Sequence, residues 1–126
     1  MELLTTVIAR ILFSVPFLVF GSMHFMMPET IATMVPAWVP GGGLFWAYVT
    51  GVCILGAGIS IVTKKFGAIA CPILAALLMI FVLTIHIPGL MKPEMMMMAM
   101  TAMLKDTGLA GGALTWAGIF AKEAKK

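Results

Sequence analysis

Apolar residues run along this chain in long blocks, not in the alternating or one-sided patterns of a soluble fold. A helix that spans a bilayer needs about 20 mostly apolar residues, because each adds about 1.5 Å against a hydrocarbon core of about 30 Å. Residues 3–27 meet this, with Arg10 as the sole charge and Pro16 as a kink. Pro28 closes that block and opens a stretch rich in Pro and Gly, from Pro36 and Pro40 to Gly41-Gly42-Gly43. Within it, Pro28-Glu29-Thr30 reads as a helix start, so a short interfacial helix is expected to about Val35. Residues 44–63 form a second span, entered by Phe45, Trp46 and Tyr48 at an interface. A basic Lys64-Lys65 turn leads to a third span over 66–87, ended by Pro88-Gly89.

The last block reads in two ways. One continuous helix runs through Lys105-Asp106, or a Met-rich interfacial helix ends near Met103 and a short span begins at Asp106. The favoured reading is the near-continuous helix, with the span over 104–121 and Leu104 to Phe120 as its buried part. That part is about 17 residues, the lower limit for crossing. The expectation is an all-α, integral-membrane four-helix bundle forming one domain over 1–126, with an interfacial helix in its first outer loop.

Composition turns this pattern into a class. Of 126 residues, 62% are hydrophobic and 10% charged, with mean hydropathy +1.11. Soluble domains carry roughly 25% charged residues, and a fold this small has too much surface to hide so many apolar side chains. Disorder, collagen-like fibres and disulfide-stapled secreted domains are excluded. The net charge of +3 is an orientation signal, with no nucleic acid implied. Lys64, Lys65, Lys122, Lys125 and Lys126 fall on one side of a four-span topology, and Lys92 alone on the other. Positive-inside bias then puts both termini in the cytoplasm. The first block is too long, and lacks the small-residue cleavage site, for a cleaved signal peptide.

Ionisable groups within membrane segments are functional candidates by default. His24, Glu29, His86, Glu94, Lys105 and Asp106 all collect at the outer ends of the helices. The two outer loops echo one another, His24 to Pro28-Glu29 and His86 to Pro93-Glu94, which suggests a duplicated hairpin with both imidazoles approaching one outer cavity. Plainer readings stand beside these. Each His serves as an interfacial residue bonded to loop carbonyls, Arg10 snorkels to headgroups or ties to a neighbouring helix carbonyl, and Asp106 caps the fourth span. Lys105 and Asp106 lie about 100° apart on a helix and need not pair.

The 13 methionines raise a metal question. Met97, Met100 and Met103 repeat every third residue, and thioethers with His24 and His86 are soft ligands suited to Cu(I). A flexible apolar filler explains the same residues. Cys53 and Cys71 form no Cys-x-x-Cys and sit at different depths, so they read as small packing residues. Gly108 with Gly112, Gly56 with Ser60, and Gly67 with Cys71 and Ala75 read as close-packing seams, within the bundle or between protomers of a homo-oligomer.

Arg10, Gly21-Ser-Met-His24-Phe25 with Pro28, Val35-Pro36-Ala-Trp38-Val-Pro40, Gly51, Ile85-His86-Ile-Pro88 and Leu104-Lys105-Asp106 occur in an order that resembles the DoxX-like membrane protein family. The resemblance covers nearly the whole chain. It implies a four-helix bundle in the bacterial inner membrane and, by analogy with a subunit of a thiosulfate:quinone oxidoreductase, a redox or quinone connection. No haem, Rossmann or nucleotide motif accompanies it. The expectation is a non-catalytic subunit, not an enzyme on its own, whose outer cavity binds a quinone-like ligand beside a redox partner protein. The candidate ligand-binding residues are His24, His86, Asp106, Lys105 and Arg10. Copper handling through His24, His86, Met97, Met100 and Met103 is the alternative, and a transporter-like oligomer the third.

Overall fold

The computed structural model describes residues 1–125; Lys126, one of the lysines of the basic C-terminal end, lies outside them. Every regular element is helical. A π-helical turn at Leu4–Ile8 runs into α1 (Ala9–Met26), and the short α2 (Pro28–Ala32) comes after it. Next come α3 (Gly43–Thr63) and α4 (Gly67–Phe81). The latter continues through a π-helical turn at Val82–His86 into α5 (Ile87–Leu90), and α6 (Met96–Ala124) closes the chain. Three of these stretches, Leu4–Met26, Gly43–Thr63 and Gly67–Leu90, are long and apolar enough to cross a membrane.

The boundaries reflect local chemistry. Pro28 occupies the first turn of α2, where its missing N–H costs nothing, and α2 ends at Ala32 with turn bonds carrying the chain to Val35. Gly43 is required where α3 begins, since a Cβ there would lie 2.6 Å from the Ala32 carbonyl. The basic turn is tight: Lys64 and Phe66 both adopt left-handed backbone, with φ of 65° and 62°. Pro88 does not end the third long stretch as expected, and helix continues to Leu90. The π-turn just before it makes i→i+5 bonds, and Pro88 sits in the first turn of α5.

Two hairpins make up the molecule. α1 lies along α3, and α4 along α6. Phe17, Ile54, Ile61, Cys71, Leu74, Leu78, Ala113 and Phe120 form the core between them. The α1–α3 contact is a glycine seam. A Cβ on Gly21 would meet the Leu55 backbone at 2.7 Å, and one on Gly51 would meet the His24 Cβ at 2.6 Å. Gly58 abuts Leu18, and Gly112 receives the Phe13 ring from α1. Gly56 and Gly108 are not contacts within the chain, because nothing lies within 4 Å of a Cβ at either position. Spacing alone does not say which face of a helix such residues occupy. Cys71 packs in the core, whereas Cys53 is exposed on α3 instead of packing, and both thiols are free.

Candidate functional site

At the end of the molecule opposite the Lys64-Lys65 turn, the hairpins line a partly open cavity of about 320 Å³. α1 supplies Phe17, Phe20, Met23 and His24, and α3 supplies Thr50 and Ile54. The third stretch adds Leu78, Phe81, Ile85 and His86, and α6 adds Ala102, Lys105, Asp106 and Leu109. Ile31, Met34 and Val35 close it from the first loop. Its walls are mostly aliphatic and aromatic, with polar groups from His24, Thr50, His86, Lys105 and Asp106.

His24 is 8% exposed, and Gly51 of α3 lies against its Cβ and Cγ. Its Nδ1 donates to the Phe20 carbonyl one turn back, at 2.6 Å. A carbonyl can only accept, so the proton is on Nδ1. The Nε2 atom has no protein partner, and among the described residues no buried side-chain nitrogen or oxygen is left unpaired. That atom is therefore reached from open space. The plain reading, a histidine bonded to a carbonyl, accounts for one ring nitrogen only.

His86 and Asp106 meet. The His86 Nε2 donates to the Asp106 Oδ2 at 2.7 Å. Asp106 is 4% exposed and lies well inside the continuous α6, not at a cap. Its other oxygen, Oδ1, is 3.4 Å from the Lys105 ammonium. The neighbours in sequence thus pair, despite their angular separation, because the long lysine chain folds back. Lys105 also places its ammonium 4.4 Å from the centre of the Phe20 ring, a cation–π contact that ties α6 to α1. The π-turn ending on His86 inserts one residue into the helical register, rotating the residues beyond it by about 100°.

Arg10 stands apart from this cavity. Its guanidinium donates to the carbonyls of Ile61, at 3.1 Å, and of Val62. These belong to the last turn of α3, whose carbonyls have no helical N–H partner. Arg10 thus ties α1 to the neighbouring helix. Met97, Met100 and Met103 do not line the cavity either; Met97 is 76% exposed. Among the described residues, no three of His, Cys, Asp and Glu gather closely enough to hold a metal ion.

Sequence reasoning missed Phe20, Thr50 and Met34 as lining residues. Thr50 donates to its own helix carbonyls at Trp46 and Ala47, so its hydroxyl proton is already committed. Phe20 carries a signal in retrospect: it precedes His24 by one turn on the same face of α1.

No curated protein and no solved structure matches the chain significantly. A family model described as "Domain of unknown function (DUF8561)" matches residues 13–110, which include His24, His86, Lys105 and Asp106 but not Arg10. With the greater part of its length matched, this chain belongs to the DUF8561 family.

Proposed function

We propose that the chain is a four-span protein of the bacterial inner membrane, as its DoxX-like resemblance implies, whose cavity binds a small, largely apolar molecule with a polar head. A quinone-like ring is the chemistry that suits it best. The observation that carries this reading is the presence of His24, His86, Lys105 and Asp106 together in the lining of one mostly apolar cavity. Its volume lies at the lower end of the range of small-molecule sites, about 300–1,000 Å³. Apolar walls exclude solvent around a ring, and a few convergent polar groups fix its orientation.

α6 as the fourth span is supported by its 29 residues, about 43 Å of helix at 1.5 Å each. Asp106, its most costly residue for lipid, faces inward onto His86. The basic residues Lys64, Lys65, Lys122 and Lys125 lie at the end away from the cavity, which favours cytoplasmic termini and an outward-facing site. The chain acts as a binding component beside a redox partner protein, not as a catalyst alone.

The test is a titration of purified protein in nanodiscs with a decyl-substituted benzoquinone. Saturable one-to-one binding is expected, weakened at least about tenfold by Ala102→Phe, which puts a large side chain into the cavity. Unsaturable partitioning, equal in both proteins, contradicts the reading.

A further inference from the structure

The hydrogen-bond partners of the polar lining carry more than the existence of a site. His24 has its proton fixed on Nδ1 by the Phe20 carbonyl, so as a neutral imidazole it offers a lone pair at Nε2. Asp106 is an acceptor already occupied by His86 Nε2 and by Lys105. Lys105 still has N–H bonds to give. His86, with its proton at Nε2, likewise keeps a lone pair at Nδ1 with no protein partner. The lining therefore presents unsatisfied acceptors at His24 and His86 and a donor at Lys105. A head group with carbonyl oxygens alone can accept from Lys105 but leaves His24 Nε2 unpaired. A hydroxyl can donate to His24, and its own lone pairs can accept from Lys105.

We infer that the cavity selects, among small apolar molecules, those whose head carries a hydroxyl, with His24 Nε2 as the atom that accepts its proton in a hydrogen bond. Within the quinone-like class, this means the reduced benzoquinol is preferred over the benzoquinone. The inference rests on the reading of the cavity as a small-molecule site, and goes beyond it by fixing the donor and acceptor pattern of the ligand. The discriminating element is the penalty for desolvating Nε2 without a partner, the same asymmetry that makes polar sites reject analogues that lack a matching group.

Three probes differing only at the oxygens separate the alternatives: a decyl-benzoquinol kept reduced without oxygen, the corresponding benzoquinone, and the dimethyl ether of the quinol. Each is titrated against the full chain in nanodiscs. The quinol is expected to bind about tenfold or more tightly than either of the others. His24→Phe is expected to bring quinol affinity down to that of the quinone, while His24→Gln, whose amide oxygen can accept, keeps part of the preference. Nitrogen NMR of ring-labelled histidine adds a readout independent of affinity. With two histidines in the chain, His86→Phe assigns the signals. His24 is expected protonated at Nδ1 and bare at Nε2, with Nε2 shifting on addition of quinol and not of quinone. Equal or tighter binding of the quinone, or a proton on Nε2 in the free protein, overturns the preference while leaving the cavity as a site. Binding of none of the three probes overturns both.

Discussion

The His86 imidazole and the Asp106 carboxylate form a 2.7 Å hydrogen bond between the third and fourth long helices. Both side chains are largely removed from solvent. In such surroundings a bond to a charged partner is strong, and leaving either member alone is costly. The pair fastens the second hairpin at the cavity end and holds the carboxylate inside the protein.

Removing Asp106 should therefore destabilise the fold. Asp106→Ala is expected to cost about 2–3 kcal/mol, because His86 Nε2 and Lys105 both lose their acceptor. Unfolding in mixed micelles measures this. A double-mutant cycle with His86→Ala should show a coupling of at least about 1 kcal/mol. Additive effects of the two changes would show that the bond contributes nothing to stability.

The ion pair at the opposite end offers a contrast. Lys64 and Glu123 are 3.8 Å apart and both well exposed. Glu123→Gln should alter stability by no more than about 0.5 kcal/mol in the same assay.

Arg10 closes the end of α3 from outside the helix. Arg10→Leu should cost about 1–2 kcal/mol and speed amide hydrogen exchange in residues 60–66, leaving exchange around the cavity unchanged. Arg10→Lys, with a single point donor in place of a fork, should recover only part of the protection.

The glycine seam makes a prediction by position. Gly51→Ala should cost about 1–3 kcal/mol and weaken ligand binding, because the new methyl collides with His24. Gly21→Ala should be comparably destabilising through Leu55. Gly56→Ala and Gly108→Ala meet open space and should be neutral or slightly stabilising in unfolding experiments.

How much of this was legible in the sequence depends on the kind of feature. Hydropathy blocks located the first two long helices to within a residue or two, observed at Leu4–Met26 and Gly43–Thr63, because apolar length is a property of the local chain. The third ran past Pro88, since a proline in the first turn after a π-turn removes no needed donor. Continuity of α6 through Lys105-Asp106 was readable from the absence of a breaker, but the pairing of those two residues was not. It depends on the lysine's rotamer and on Phe20 from another helix. Both histidines line one cavity, a placement the echoing loops suggested only through a duplication of the hairpin. Which glycines touch a neighbour was not, because a seam repeated at four-residue spacing looks the same on a lipid-facing side. The Met97, Met100 and Met103 repeat marks a face of α6 and not what that face meets; these residues lie outside the cavity lining.

The central claim is that a small apolar ligand occupies the space between His24 and Asp106. Photolabelling with an azido-benzoquinone, with peptide mapping of the products, tests this most directly. Labels are expected on segments 17–24, 78–86 and 102–109, and to be displaced by excess unlabelled benzoquinol. Labels confined to outward-facing residues such as Val52, Ile59 and Leu114, and not displaced, would contradict it.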